Sequence, residues 1–328
     1  MLLNVENLNI DIATVNGTLA AVQDVSFCVS KGETLCIVGE SGCGKSITAL
    51  SLLGLLPKVA KRTAREMTFD GVDLQRISKS ELRVLRGNRL SMIFQEPMTA
   101  LNPLHTIRRQ LSDVYRAHRK ASRREAEERA IYLLERVGIA NAVQRLNNYP
   151  HELSGGMRQR VVIAMALMCG PELIVADEPT TALDVTIQAE LLRLLIDLQK
   201  SFGMGMIMVT HDLGLVSRIA DRVIVMYAGQ VVEAAPAEKL FSNPSHPYTR
   251  ALLGSVPDPR HPRMKPLPSI PGTVPSLLNR MEGCHFFDRC PLASDACRKP
   301  IRLEKIGEHH EARCIKVGES KIRLKVVA

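Results

Sequence analysis

Two short stretches carry residues whose types and spacing suit phosphate chemistry. GESGCGKS at 39–46 places Gly39, Gly42, Gly44 and Lys45 where the apolar run TLCIV gives way to the helix-like run ITALSLLGLL. A plain strand-to-helix turn needs one or two glycines, and a lysine gains nothing beside a helix N-terminus that is already positive. A negative ligand accounts for both features. The stretch fits G-x-x-x-x-G-K-[ST], the phosphate-binding P-loop, with a strand before it and a helix after it. Backbone N–H groups of Gly39, Ser41, Gly42, Cys43, Gly44, Lys45, Ser46 and Ile47 would curl round the phosphates. Lys45 would reach the β and γ oxygens, and Ser46 would offer its hydroxyl to Mg2+. LIVADEP at 173–179 then delivers two adjacent carboxylates at the end of a buried strand. In open parallel sheets ligands bind beyond the carboxyl ends of strands, so Asp177 is expected to hold the Mg2+ shell and Glu178 to orient or deprotonate an attacking water.

The elements that must position these groups alternate along the chain. LLNVENLNI, AVQDVSFCV and TLCIVG read as strands bounded by turn signals, which predicts a β-rich opening. Strand-like MTFDGVDL and LSMIFQ follow Pro57, the latter ending at Glu96-Pro97. Residues from about 104 to 170 read as helices. Ser122 with Glu125 forms a capping box, Ala126, Ile131, Leu134 and Val137 follow at helical spacing, and Gly138 ends the helix. From 171 the α/β alternation returns as strand LIVAD, helix VTIQAELLRLLIDLQKSFG, strand MGMIMVTHD, helix LGLVSRIAD and strand VIVMYAGQVVE. That is a parallel-sheet pattern. Ten of the eighteen prolines fall between 236 and 275, so the boundary between a regular domain at 1–235 and a turn-rich extension at 236–328 is drawn there.

Composition bounds the function. The 328 residues, 45% hydrophobic, are enough for a packed core. No stretch approaches the roughly 20 apolar residues of a membrane span, and MLLNVENLNIDI lacks the basic start and apolar core of a signal peptide. A cytoplasmic placement is expected. The net charge of +9 is dispersed, and five Tyr, seven Phe and no Trp give few platforms for stacking bases. Nucleic acid is therefore not an expected partner. Basic surface, an anionic membrane leaflet or a polyphosphate fits that charge.

With these motifs in place, the chain resembles the ATP-binding subunits of ABC transporters. LSGGMRQR at 153–160 is similar to that family's signature motif, and it precedes a helix, giving a second anion-binding feature. The resemblance implies a P-loop NTPase fold with a RecA-like core, an antiparallel β subdomain and a helical subdomain at about 100–170. It also implies head-to-tail sandwiches in which Ser154, Gly155 and Gly156 act on the partner's nucleotide. Gln95 in MIFQEP resembles the Q-loop glutamine that touches Mg2+ or water. Asp184 in TTALD resembles the D-loop, and His211 in VTHD resembles the switch histidine on the γ-phosphate. The expected catalytic set is thus Glu178, His211 and Gln95. One departure is that residues 1–26 contain no Phe, Tyr or Trp for adenine stacking; Leu19 or Val15 would have to take that place by apolar contact.

NPSHPYTRALLGSVP, IPGTVPSL and GCHFFDRCPLASDAC look like the tail of the dipeptide/oligopeptide branch of ABC importers, whose relatives also handle opines, nickel chelates and murein fragments. That implies two transmembrane permease subunits, a second and paralogous ATP-binding subunit, an extracytoplasmic solute-binding protein acting indirectly, and a peripheral site on the cytoplasmic face of the inner membrane. A soluble ABC-type ATPase acting on ribosomes or DNA would carry two cassettes or a long coiled coil, and neither is present. Four of the eight cysteines, Cys284, Cys290, Cys297 and Cys314, cluster in the tail. Their spacing does not match C-x2-C zinc patterns, and Pro291 after Cys290 is a Cys-Pro step found in iron–sulfur proteins. The residues alone leave an iron–sulfur cluster, zinc and unliganded thiols open, with a redox or metal-sensing role for the tail as a third functional class; the resemblance implies [4Fe–4S]. Cys28, Cys36 and Cys169 read as core; His285, His309 and His310 could serve as ligands, but ordinary residues near a loop surface are the favoured reading.

Overall fold

A computed structural model of the chain describes residues 1–95, 100–180, 184–255, 269–278 and 282–317. The Glu96-Pro97 turn, residues 181–183 of TTALD, the end of NPSHPYTRALLGSVP at 256–257 and the prolines up to 268 lie outside the described residues. The chain divides into two compact units. One comprises Met1–Leu2, Val29–Glu33 and Asp70–Met208; the other comprises Leu3–Cys28, Thr34–Phe69 and Val209–Ala328.

In the first unit, the strands Leu90–Ile93 and Leu173–Asp177 pair in parallel, with Leu90 opposite Leu173 and Ile93 opposite Ala176. Every residue of both is buried. Continuous apolar runs of this kind belong to parallel strands covered on both faces. The region from about 104 to 170, expected to be helical, holds the helices Ile107–His118, Arg123–Arg136 and Gly155–Leu167, which pack on one another. Ser122 and Glu125 make the full capping box. The buried stripe of Arg123–Arg136 runs through Ala126, Ala130, Leu133 and Leu134 and continues to Val137. Ile131 sits half-buried at its margin, because the 3.6-residue period puts position 130 rather than 131 above 126. The apolar part of Gly155–Leu167, from Val161 to Leu167, is buried on nearly all sides, as a segment apolar all round requires.

In the second unit, Leu3–Thr14 pairs antiparallel with Ala60–Thr63 and Glu66–Phe69, and Gly17–Val29 lies at its other side. This unit also holds strands that neighbour one another in the order Glu304–Gly307, His310–Ala312, Gln230–Pro236, Arg222–Tyr227, Thr34–Val38, part of a larger sheet. Arg222–Tyr227 and Thr34–Val38 pair in parallel. VIVMYAGQVVE, expected as one strand, is instead an antiparallel hairpin with a register shift between Val225 and Met226. Ala228 and Gly229 both take positive φ at its turn (43° and 82°), the backbone of a tight two-residue turn. The turn is anchored by distant groups: Gln23 N donates to Gly229 O (2.8 Å), and Gly229 N to Cys43 O (3.1 Å). The C-terminal extension, expected to be turn-rich, also contributes the helices Ala237–Ser242 and Pro247–Gly254 and the two-stranded ribbon.

Candidate functional site

The fully buried strand Thr34–Val38 opens directly into the glycine-rich loop. Gly39, Gly42 and Gly44 have φ of 151°, 78° and 101°, which turns successive amides toward one side. Two of these glycines also answer to close approach. A Cβ on Gly39 would lie 2.1 Å from Met226 O, and one on Gly44 would lie 2.5 Å from Ala21 O. Gly44 then caps the helix Lys45–Leu52 with no side-chain acceptor, so the cap itself offers nothing that would compete with an anion at the helix start. Lys45 is only 5% exposed, and its Nζ donates to Gly39 O (2.8 Å) and Glu40 O (3.0 Å). The ammonium therefore sits inside the loop that the phosphates would occupy. Ser46 and Ile47 follow it half-buried, while Ser41 and Gly42 are exposed. Cys43 is buried, and burial pushes its thiol up, so it acts as core.

The carboxylate pair belongs to the first unit. Asp177 is the last residue of its strand and is 5% exposed. Glu178 turns out of the strand at φ 44°, a left-handed conformation that costs a non-glycine residue about 1–2 kcal/mol. Gln95, exposed two residues beyond Leu90–Ile93, donates from Nε2 to Glu178 Oε2 at 3.0 Å. Two sequence-predicted catalytic groups are thereby brought together. The signature contributes a helix start: Ser154 is the N-cap of Gly155–Leu167 and accepts from Met157 N at 3.3 Å. Ser154 and Gly155 are exposed and Gly156 is half-buried. Asp184 caps Val185–Phe202 in the same way, accepting from Ile187 N at 3.0 Å. Buried Gln159 of the signature donates to Pro179 O at 2.5 Å. It ties that helix to the residue after Glu178, a role that its place in LSGGMRQR did not reveal.

In the second unit, His211 is exposed two residues past the strand Gly205–Val209, next to Asp212, which caps the following helix. Val15 is wholly exposed and Leu19 half-buried.

Cys284, Cys290, Cys297 and Cys314 all line one small pocket, together with His246. Cys284 N donates to Cys297 O at 2.9 Å, across a glycine, Gly283, whose Cβ would come within 2.4 Å of that carbonyl. Burial pushes the Cys284 thiol up to about 12. The backbone N–H of Phe286 opposes that shift, and the other three thiols add to it. Among the described residues no three His, Cys, Asp or Glu side chains are gathered closely enough to hold one metal ion. Two expectations are corrected here. His285 and His310 are buried rather than at a loop surface: His285 Nδ1 lies 2.7 Å from Ala228 O and His310 Nε2 lies 2.7 Å from Glu233 Oε1. Their partners are a turn carbonyl and a carboxylate, which marks both as packing residues. Cys36 and Cys169 are core, but Cys28 is half-buried, with Arg222 donating to its sulfur at 3.6 Å.

Residues 22–181 match the family described as ABC transporter, and residues 232–297 match the oligopeptide/dipeptide transporter C-terminal region. The chain is 52% identical over 321 residues to a protein of Sinorhizobium fredii named "Probable peptide ABC transporter ATP-binding protein", covering 97% of this chain and 96% of the relative. It is 50% identical over 330 residues to a Brucella abortus protein whose name places it among peptide import ATP-binding proteins, covering 97% and 98%. A solved dimeric ATP-binding cassette, in a post-hydrolysis state bound to ADP and Pi, superposes with a TM-score of 0.65 at 27% identity, covering 72% of this chain and 99% of the cassette. Among the described residues no helix is long and apolar enough to cross a membrane.

Proposed function

The chain belongs to the ATP-binding proteins of ABC transporters, and from that premise we propose that it is the ATP-hydrolysing subunit of an importer for di- or oligopeptides. The observation that carries this reading is the glycine loop with Lys45 folded into it. Lys45 and the loop amides bind the triphosphate of ATP, and Ser46, Asp177 and Gln95 would hold the Mg2+ that neutralises it. Glu178, oriented by Gln95, accepts the proton of the attacking water, and His211 contacts the γ-phosphate. Ser154, Gly155, Gly156 and Asp184 serve the nucleotide of a second, paralogous ATP-binding subunit. The nucleotide-binding domain spans 1–235 and the extension 236–328. The protein works at the cytoplasmic membrane face on two permease subunits, supplied by an extracytoplasmic binding protein. Co-expression with the two permeases is the test. Co-purification and peptide-stimulated ATPase activity are expected, and an ATPase indifferent to permeases and peptide would overturn the reading.

We further infer that the tail cysteines hold a [4Fe–4S] cluster. Four thiols line one pocket, and His246 of the same pocket is buried with its Nε2 unpartnered. Its Nδ1 accepts from Tyr248 N at 3.0 Å, so Nε2 carries the proton, a donor suited to a sulfur acceptor. A single zinc needs thiolates drawn in to about 2.3 Å from the metal, whereas four irons spread their ligands more widely. When bound, such a cluster would supply a one-electron couple and a four-point cross-link of the extension. Anaerobic purification should give a brown protein with about four irons and four sulfides, and Cys290→Ser should lose the iron. Iron-free, colourless protein from an iron-replete anaerobic preparation would reject the cluster.

A further inference from the structure

The phosphate loop carries a carboxylate of its own, Glu40, where a polyphosphate ligand would be repelled by it. Arg289 answers that charge from 249 positions away: Nη1 donates to Oε2 at 2.7 Å and Nη2 to Oε1 at 3.0 Å. The rest of the guanidinium is equally committed. Nε donates to Pro271 O (2.7 Å), Nη1 also to Tyr227 Oη (3.2 Å), and Nη2 also to Ile270 O (3.2 Å). All five N–H groups of the fork are used, and the side chain is 5% exposed. A planar cation fixed this way has one position, and its bidentate partner is fixed with it. The backbone of Glu40 is held as well. Its N–H donates to Tyr248 Oη at 2.9 Å, and its carbonyl accepts from Lys45 Nζ. Arg289, Tyr248 and Tyr227 form one group, with Tyr227 and Tyr248 in contact at 4.6 Å between ring centroids. Arg289 immediately precedes Cys290, so the cysteine-bearing segment is joined to the loop by one residue.

We propose that Arg289 is a positioning residue of the nucleotide site, clamping Glu40 so that the phosphate loop keeps its shape and presents no net negative charge to ATP. The inference rests on GESGCGKS being the ATP-binding loop, and it is independent of what the cysteines hold. Arg289 contacts no phosphate itself and acts through Glu40.

Titration of the full-length chain with a fluorescent ATP analogue and Mg2+ tests it, alongside steady-state hydrolysis with the partner subunits. Arg289→Ala should weaken binding about tenfold and raise KM in step, with kcat at saturation within about twofold. Arg289→Lys, which keeps the charge and loses the fork, should fall between. The decisive variant is the double change Arg289→Ala with Glu40→Gln. Removing the carboxylate that the arginine neutralises should restore most of the lost affinity. A role confined to holding the tail folded would not be rescued this way. Unchanged affinity in Arg289→Ala, or a double variant no better than the single, overturns the proposal. If Arg289→Ala does not fold, Arg289→Lys with and without Glu40→Gln gives the same comparison. Wild-type protein that binds no nucleotide would instead overturn the ATPase reading and this inference with it.

Discussion

Glu178→Gln is expected to abolish turnover while ATP binding survives. Glutamine has the shape of glutamate and keeps an oxygen to accept from Gln95 Nε2, so the 3.0 Å bond that orients the side chain is retained. It has no basicity for the proton of an attacking water. Loss of a general base costs on the order of 100- to 10,000-fold in rate, and binding, which depends on Lys45 and the loop amides, is untouched. Phosphate release should therefore fall by at least about 100-fold while the titration with a fluorescent ATP analogue is superimposable on wild type. The left-handed backbone of Glu178 is retained in both proteins, so strain does not confound the comparison. Hydrolysis at the wild-type rate would show that some other group handles the water.

How much of this site can be read in the sequence depends on how local each interaction is. The P-loop was legible because its glycines, lysine and flanking apolar runs are contiguous. Asp177 and Glu178 were legible because four apolar residues precede them on one strand. Ser154 and Asp184 could be placed by motif, and the structure adds that each is a helix cap, which fixes it through its own backbone. The misses are long-range. Ala228 at positive φ gives no local turn signal, since alanine is a poor choice there. The hairpin is stabilised by Gln23, Cys43 and His285, none of them near it in sequence. His310 read as a loop-surface residue, yet it pairs with Glu233 across 77 positions. Gln159 lies within a recognised motif, yet its carbonyl partner is on another element. Glu40 and Arg289 stand 249 positions apart, and only the fold brings them together.

The two loop glycines nearest the strand end should respond very differently to a methyl group. Gly39→Ala would place a Cβ 2.1 Å from Met226 O and 2.8 Å from Cys43 Sγ, at a φ of 151°. Real Cβ atoms do not approach a backbone oxygen that closely, so either the loop or the hairpin must move. Neither is free to do so. Met226 sits at the register shift of its hairpin, the turn beyond it is bonded to Cys43 and Gln23, and Lys45 holds the carbonyl of Gly39 itself. A forced shift of packed backbone belongs to the class of changes that cost more than about 4 kcal/mol. Gly42→Ala differs because a Cβ there meets no atom within 4 Å. It carries only the left-handed backbone penalty, about 1–2 kcal/mol. Urea unfolding of the two variants beside wild type should therefore show Gly39→Ala largely unfolded or shifted far to low denaturant, and Gly42→Ala only slightly displaced. Equal stability of the two would mean that the loop is not held against the hairpin as described, and the fixed cradle for ATP would lose its structural basis.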